Sequence, residues 1–424
     1  MQEKITKGII AAGYNNDGAF WPIEDKAVAQ YEKEVVSGYD FPSHVFLRDT
    51  DRHRVTKSNF LIAGIPMIWY GMQNTSRTDL ERISVVGDEV TGANVELFSG
   101  FIEDSRFEYC FEGPPDEWKA SGTFRKGFRS VGAEDEMALI LMGDVPLITS
   151  LDGVVSDPDV GNYDAVFDLN SRTRTNRHWP RRYHAKLLHK GRPLYIKEPN
   201  LLLGNVDKFD EVTAKLGLSN HLIDMVYSGR KAHGSKKGSR RESFEELFAN
   251  DGRWWTTLKG IGPIYALQLW NSKRRGNPPL ILPRKAYDAV NDSLGLKVLF
   301  KADNHDPGTL EDIDGLADWA FTWDMLERAG DSIYPDFSSL KSHAANLVPE
   351  LRREIEFYRN FEEYMNSLFK GYGLLEPFVG GRGFRNPFTV GNNDTSEKAE
   401  GIITRSVRRH RSFIRRRNLL DRLR

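Results

Sequence analysis

Residues 137–149, MALILMGDVPLIT, constrain the fold of this chain more than any other stretch. Six apolar residues run directly into Gly143 and Asp144, and a second apolar stretch follows. A continuous apolar run of this length is typical of a strand that is buried on both faces of a parallel sheet. Because an unpaired carboxylate is costly to bury, the aspartate at the end of the strand indicates a partner there, such as a cation.

Other short apolar runs predict further strands of the same kind. The predicted strands are KGIIAAG near the N-terminus, Arg82–Gly87, Glu136–Gly143, Tyr163–Leu169 and LKVLFKAD near residue 295. Helical patterns lie between the early strands, for example at Met67–Thr78, and strands that alternate with helices predict an α/β fold. We therefore expect a three-layer, mainly parallel, Rossmann-like sheet with helices on both faces.

Two stretches break this alternation and predict insertions, at about residues 15–56 and 205–290, the second of them helical. We expect one α/β domain over residues 1–328 and a helical C-terminal region over residues 329–424. The last twenty residues carry nine arginines and one acidic residue, whereas the other 404 residues hold 50 basic and 59 acidic residues. The body is therefore acidic, and its overall charge would not attract nucleic acid.

Composition excludes several classes of protein. No apolar window is long enough for a membrane-spanning helix, and the first apolar run is too short for a secretory signal. The single cysteine, Cys110, excludes an internal disulfide framework and a multi-cysteine zinc site. These features make a cytoplasmic location the expectation.

Candidate binding residues follow the predicted strands, because ligands of open α/β sheets bind at the carboxyl ends of the strands. The first strand leads into Ala11-Ala12-Gly13, whose small side chains let backbone N–H groups approach a phosphate or a nucleoside. Asp144 follows the strand at 136–143, and Asp312 and Asp314 follow the late strand. Carboxylates from two distant segments match the oxygen ligands that Mg²⁺ takes together with substrate phosphates.

These segments resemble motifs of the nucleotidyltransferases that join a nucleoside triphosphate to a sugar phosphate or a similar acceptor. That family includes the sugar-nucleotide pyrophosphorylases and the molybdopterin guanylyltransferase-like enzymes. The matching segments are IIAAG at 9–13, KSNFLIAGIPMI at 57–68, SGT at 121–123, MGDVPLIT at 142–149 and EDIDGLADW at 311–319. In the same order, they resemble the family's LAAG start, its lysine-containing second motif, the GT motif that contacts the base, the GDxPL motif and the DVDTPEDL motif. The resemblance covers about residues 7–14, 57–205 and 290–325.

The resemblance implies a magnesium-dependent nucleotidyltransferase of the EC 2.7.7 type, built on the family's α/β core. It implies that Asp144 and Asp314 bind Mg²⁺ and that Lys57 contacts the triphosphate or stabilises the transition state. It further implies that the 11–13 segment holds the nucleotide, that Gly122 and Thr123 line the base pocket, and that Asn200 contacts the acceptor. The partners would be an NTP and a phosphorylated small-molecule acceptor.

The chain departs from the family at two positions. AAGYNNDGAF lacks the arginine and the glycine-rich turn that usually follow the opening, and Ile65 stands where the second motif normally has lysine. Arg48, Arg52 or Arg54 from the insertion would have to supply the missing phosphate contact. The alternative is a non-catalytic, regulatory nucleotide-binding protein on the same fold.

Each carboxylate and the lysine also have a purely structural interpretation. Asp144 would then cap its own turn, and Asp314 would be the N-cap of the following helix, which would leave Asp312 as the metal ligand. Lys57 would be a solvated loop residue.

Two basic or glycine-containing segments allow other partners. LKGIGPIYALQLW at 258–270 resembles the hairpin of helix-hairpin-helix modules that bind nucleic acid, although the preferred interpretation is a helix N-terminus with proline in its first turn. The arginine-rich tail would contact an anionic membrane, RNA, or the acidic body of its own or a neighbouring subunit.

Overall fold

The computed structural model describes about half of the chain, chiefly its α/β part. The longer described ranges are residues 5–13, 57–59, 61–114, 119–148, 150–156, 160–171, 185–197, 200–218, 221–224, 280–304 and 336–347. Shorter pieces are residues 267–268, 271, 308, 312–313, 322, 325–326, 330–331 and 333–334.

Twelve strands and seven α-helices lie within the described residues. The strands are β1 (Lys7–Ala11), β2 (Leu61–Ile62), β3 (Ile65–Pro66), β4 (Arg82–Gly87), β5 (Phe107–Phe111), β6 (Ala138–Met142), β7 (Ala165–Ser171), β8 (Ala185–His189), β9 (Arg192–Lys197), β10 (Leu201–Gly204), β11 (Leu280–Ile281) and β12 (Val298–Asn304). The helices are α1 (Met67–Ser76), α2 (Glu89–Ile102), α3 (Ala120–Val131), α4 (Asp152–Val155), α5 (Val206–Lys215), α6 (Pro283–Leu294) and α7 (Phe337–Leu347).

Ten of these strands form one sheet in the order β11-β8-β9-β7-β10-β6-β1-β4-β5, with β12 paired to β7. The pairings make eight of the ten strands run in one direction, since only β9 and β10 are antiparallel to their neighbours. The four strands β6, β1, β4 and β5 lie side by side and parallel, so their carboxyl ends share one edge. The expected three-layer, mainly parallel α/β fold is confirmed.

Alternate residues of the central strands face different helical layers. Ile9 and Ile140 pack with Phe124 and Phe128 of α3, and this cluster also includes Val206 at the start of α5. Their strand neighbours, such as Ile10 and Leu141, belong to the larger core beneath α1 and α2. Helix α1 is buried from residue 67 to residue 75, and it contacts both β1 of the sheet and the neighbouring helix α2, which packs on β4 and β5.

The described part of the expected C-terminal region packs into this same larger core. Ile333, Tyr334, Phe337, Leu340 and Ala344 are each 5% exposed or less and belong to it. Helix α7 contacts β3, and its His343 lies against Trp69 of α1 and stacks on Phe101 of α2. The proposed boundary near residue 328 stays a prediction, but these five residues are part of the α/β core.

The expected strands appear with small shifts at their ends, and several strands were not expected. Strand β5 has an alternating polar pattern, since it forms one end of the strand order. The β8–β9 hairpin turns at Lys190-Gly191, both with positive φ, a signal that sequence reasoning could have used. Strand β10 has only four residues, which is too few for a periodicity to show.

Several sequence predictions fall outside the described residues. These are the insertion at 15–56 with its three arginines, most of the 258–270 segment, Asp314 and the basic tail. Within the described ranges, no helix combines the length and the apolarity that crossing a bilayer requires.

Candidate functional site

The carboxyl edge of β6, β1 and β4 is tied together by backbone hydrogen bonds that continue past the strand ends. The N–H of Gly143 donates to the carbonyl of Ala11 at 2.9 Å, and the N–H of Ala12 donates to the carbonyl of Val86 at 2.8 Å. The small-residue segment 11–13 therefore lies between the Gly143-Asp144 turn and the end of β4. This places the IIAAG motif at 9–13 next to the MGDVPLIT motif at 142–149.

Gly143 also brings the second motif to this edge. A Cβ atom at this position would lie 2.8 Å from Ser58 Oγ and 3.2 Å from the Ala11 carbonyl oxygen, so a larger residue would force Ser58 to shift. Ser58 belongs to the 3₁₀ turn Lys57–Asn59, whose first residue is the predicted phosphate ligand. The side chain of Lys57 itself is outside the described atoms, so its role stays a prediction.

A buried polar network attaches this 3₁₀ turn to the sheet. Asn59 is fully buried, and its Nδ2 donates to Asp88 Oδ1 at 3.0 Å and to Thr91 Oγ1 at 3.1 Å. Its Oδ1 accepts from Asn94 Nδ2 at 3.1 Å. Asp88 caps α2 by accepting from the Thr91 N–H at 2.8 Å. The turn that carries Lys57 is thus held by the end of β4 and the first turns of α2.

Replacing Asn59 by Ala is expected to lower the free energy of unfolding by about 1–3 kcal/mol, because buried Asp88 and Asn94 would each lose a partner. Urea unfolding monitored by tryptophan fluorescence measures this change. Asn162→Ala is the matched control, since Asn162 ends the other described 3₁₀ turn and is exposed. Equal urea midpoints for Asn59→Ala and Asn162→Ala would show that the hydrogen bonds of Asn59 do not hold the 3₁₀ turn at Lys57–Asn59.

The acidic segment after β12 returns to the Gly143-Asp144 turn. The N–H of Ile313 donates to the carbonyl of Asp144 at 3.1 Å, and Ile313 is fully buried. Asp144 and Asp312, one on each side of this contact, are both partly exposed. The two segments from which the sequence predicts metal ligands are therefore adjacent. Asp314, the next residue after Ile313, is not among the described residues.

The segment that follows Asp144 is held by side chains from the helical layer. The Tyr334 hydroxyl donates to the carbonyl of Pro146 and, at 3.2 Å, to that of Ile148. Asn74 Nδ2 from α1 also donates to the Ile148 carbonyl. These bonds satisfy carbonyls that no strand pairing uses, and they restrict the loop on which Asp144 lies.

The residues at this point fit a magnesium ion held partly by substrate. No group of three or more His, Cys, Asp or Glu side chains lies together among the described residues. Mg²⁺, however, usually keeps several waters and takes only one or two protein carboxylates together with phosphate oxygens. Asp144 and Asp312 are of the right chemical type, are adjacent and are open to solvent. Asp144 and Asp312 would be enough for a magnesium site that is completed by water and substrate phosphates. A site in which the protein supplies every ligand would need more carboxylates than these two.

The predicted base-pocket residues lie at the same edge, in the first turn of α3. The Thr123 hydroxyl donates to the carboxylate of Glu112, which follows directly after β5. The start of α3 is held by Asp224, which accepts from the Ser121 N–H at 2.9 Å and from its hydroxyl at 2.6 Å. Gly122 lies between these two anchored residues.

Asn200 precedes β10 and lies beside the end of β6. Its carbonyl accepts from the Met142 N–H at 3.0 Å, and the residue is 3% exposed. Because β10 is antiparallel to β6, the start of β10 meets the same edge as Gly143. The structure thus brings Asn200 to the candidate site, while its contact with an acceptor stays a prediction.

The lone cysteine does not add a nucleophile to this edge. Cys110 lies on β5, and burial raises the pKa of its thiol above the ordinary value, with Lys126 acting in the opposite direction. The thiol is therefore protonated at neutral pH, and the protonated form is the unreactive one.

Sequence reasoning missed Asn59, Asp88 and Glu112 as members of this edge. Gly87-Asp88 ends a buried strand in the same way as Gly143-Asp144, so the repeated Gly-Asp pattern could have revealed Asp88. Asn59 and Glu112 carry no comparable pattern, because their partners come from other strands and helices.

No protein-family model matches the chain, and no curated protein matches it in sequence. Solved structures that are similar to it include a hypothetical transferase from Thermus thermophilus, with 14% identity and a TM-score of 0.40 over 74% of this chain and 99% of that one. A putative glucose-1-phosphate thymidylyltransferase from Bacillus anthracis has 12% identity and a TM-score of 0.32, over 56% and 82% of the two chains. The inositol-1-phosphate CTP transferase from T. maritima has 13% identity and a TM-score of 0.29, over 50% and 74%.

The last two of these proteins are described as enzymes that transfer a nucleotide. At such low identities and TM-scores the likenesses carry no argument about this chain, so its function is inferred from its own residues. The fold and the site define its class: an open α/β sheet with small and acidic residues gathered at the carboxyl ends of parallel strands, where ligands of such sheets bind.

Proposed function

We propose that this protein is a Mg²⁺-dependent nucleotidyltransferase, which transfers a nucleoside monophosphate from an NTP to a phosphorylated sugar or polyol and releases pyrophosphate. The proposal is supported above all by the hydrogen bond between the Ile313 N–H and the Asp144 carbonyl. It brings together two acidic segments that are distant in the chain and that resemble the two metal-binding motifs of one family. The small-residue segment 11–13 lies beside them through the Gly143–Ala11 bond.

The chain's residues have distinct roles in this reaction. Asp144, with Asp312 or Asp314, would hold the magnesium ion, which when bound neutralises phosphate charge and so favours attack at phosphorus. The backbone N–H groups of the 11–13 segment would approach the phosphates, and Lys57 would add positive charge beside the triphosphate. Asn200, on the other side of Gly143, would contact the acceptor.

The chemical step needs no protein nucleophile. An oxygen of the acceptor phosphate forms a bond to the α-phosphorus, and the bond from that phosphorus to the oxygen bridging to the β-phosphate breaks. Pyrophosphate leaves with the electron pair of the broken bond. The protein contributes by positioning the two substrates in line and by stabilising the charge that develops on the leaving group.

A direct test measures pyrophosphate release from each of the four NTPs in combination with a panel of sugar and polyol phosphates, with and without Mg²⁺. We expect turnover for at least one pair, and we expect EDTA to abolish it. Binding of an NTP without turnover in any pair would favour the non-catalytic regulatory alternative. Absence of NTP binding would overturn both.

A further inference from the structure

Helix α3, which carries the predicted base-binding residues, is capped by a carboxylate from a distant part of the chain. The residue before the helix is Lys119, and a lysine side chain has no oxygen with which to cap it. Asp224 instead accepts from the Ser121 N–H at 2.9 Å and from the Ser121 hydroxyl at 2.6 Å, across 103 positions of sequence. Because N–H groups in the first turn of a helix have no acceptor within the helix, Asp224 does what an N-cap side chain usually does.

The short segment 221–224, which supplies this carboxylate, is held between α3 and α5. The Leu222 N–H donates to Thr213 Oγ1 of α5 at 3.2 Å, and Leu222 is 1% exposed. Ile223, the next residue, packs on the cluster that contains Phe124 of α3. The position of the carboxylate that caps α3 is therefore set by both helices.

Asp210 of α5 ties α3 to the 221–224 segment. Its carboxylate accepts from Arg125 Nε at 2.6 Å and Nη2 at 2.9 Å, and from His221 Nε2 at 2.7 Å. The Ile223 N–H donates to His221 Nδ1 at 3.2 Å, so the proton of the neutral ring lies on Nε2. Burial raises the pKa of Asp210, but the bonds from Arg125 and His221 outweigh burial and lower the pKa below its ordinary value. The carboxylate is therefore charged at neutral pH and holds both partners.

The first turn of α3 depends on such bonds because it contains a glycine. Gly122 is the third residue of the helix, and glycine loses more conformational freedom on folding than any other residue. The turn is anchored on both sides of this glycine, since Ser121 bonds to Asp224 and the Thr123 hydroxyl donates to Glu112. Loss of the bond to Asp224 is therefore expected to let the turn depart from helical geometry.

We propose that Asp224 is a positioning residue for the nucleotide, which holds Gly122 and Thr123 in the arrangement in which they contact the base; this inference rests on the proposed function. Asp224 acts through Ser121, and the bonds around Asp210 keep it in place. In the proposed site the phosphates bind at the ends of β1 and β6, whereas α3 begins after β5, which β4 separates from β1. A change at residue 224 is therefore expected to affect binding of the base and not binding of the phosphates.

Equilibrium binding by isothermal titration calorimetry tests this role with two probes, each with Mg²⁺. One probe is the NTP that the wild type binds most tightly among ATP, GTP, CTP and UTP, and the other is inorganic pyrophosphate, which has no base. Asp224→Ala is expected to weaken NTP binding about tenfold and to leave pyrophosphate binding unchanged, because both bonds to Ser121 are lost. Asp224→Asn is expected to restore NTP binding to within about twofold of the wild type, because asparagine caps helices about as well as aspartate.

Asp207→Ala is the matched control, since Asp207 also accepts from a backbone N–H, that of Asp135 at 2.8 Å. Asp207 lies in the first turn of α5, which begins beside the amino end of β6, at the opposite edge from the candidate site. This variant is expected to bind both probes as the wild type does.

Unchanged NTP binding by Asp224→Ala, or an equal loss of NTP and pyrophosphate binding, would overturn the positioning role and leave the proposed function standing. If Asp224→Ala does not fold, Ser121→Ala decides the question, because it removes only the hydroxyl bond. Ser121→Ala is expected to weaken NTP binding about threefold with pyrophosphate binding unchanged, and wild-type NTP binding by it would overturn the role. Failure of the wild type to bind any of the four NTPs would overturn both the proposed function and this inference.

Discussion

Replacing Asp144 by Asn is expected to lower the rate of pyrophosphate release by about 10²- to 10³-fold or more while the fold stays intact. Asn keeps the shape of the side chain but removes the negative charge that a magnesium ion would need. The backbone contacts of residue 144, including the bond from Ile313, do not depend on the side chain. The loss is therefore expected in turnover, with little change in thermal stability.

The assay compares initial rates over a range of Mg²⁺ concentrations, because a weakened metal site recovers part of its activity at high metal. Asp152→Asn is the matched control, since Asp152 is exposed in the first turn of α4 a few residues downstream. Parallel measurements on Asp312→Asn and Asp314→Asn identify which of these acids is the second ligand. A near-normal rate for Asp144→Asn at ordinary Mg²⁺ concentration would exclude the proposed role of this carboxylate.

Replacing Gly308 by Ala is expected to lower the free energy of unfolding by about 3 kcal/mol or more. A Cβ atom there would lie 1.8 Å from the Leu147 carbonyl oxygen and 2.7 Å from the Ile148 nitrogen. Both atoms belong to backbone that Tyr334 and Asn74 already hold, so neither can move aside cheaply. The same change is expected to displace the segment that carries Asp312 and thereby to reduce activity.

Thermal and urea unfolding measure the first effect, and the pyrophosphate assay measures the second. Gly100→Ala is the control: Gly100 lies within helix α2, and no described atom outside its own helix and chain neighbours would lie within 4 Å of a new Cβ. That substitution is expected to be neutral or to stabilise by up to about 1 kcal/mol, because alanine favours helix more than glycine does. An unchanged melting temperature for Gly308→Ala would contradict the close packing of residues 308 and 147–148.

The sequence predicts the arrangement of the sheet well where a strand is buried on both faces. Runs such as Arg82–Gly87 are recognised as strands by their continuous apolar composition. The carboxyl ends of these strands then identify the edge of the sheet at which ligands bind. Edge strand β5 is not found in this way, because its residues alternate in exposure. Strand β10 is not found because it has too few residues. The antiparallel position of β10 depends on tertiary pairing with β6 and β7, which no local pattern encodes.

The candidate site was predictable to the extent that it consists of strand ends. Asp144 and the 11–13 segment lie together as expected, and Asp312 lies beside Asp144 through Ile313. Asp88 could have been found from its Gly-Asp pattern, but Asn59 and Glu112 could not be predicted from the sequence, because only their contacts with residues of other elements distinguish them. Glu112, for example, is an ordinary acidic residue in the sequence, and only the Thr123 hydroxyl and its 6% exposure distinguish it.

The hydroxyl of Tyr334 bonds to a carbonyl that lies 188 positions earlier, and this separation has a consequence for how the protein is made. At translation rates of about 5–20 residues per second, the loop after β6 leaves the ribosome some 10–40 s before the tyrosine that supports it. During that interval the loop has its contacts with β1 and α1, which are made earlier, but lacks the bond from Tyr334. The loop at the candidate site is thus completed only after residue 334 has been made, and folding of this protein is expected to be slow because it waits on long-range contacts.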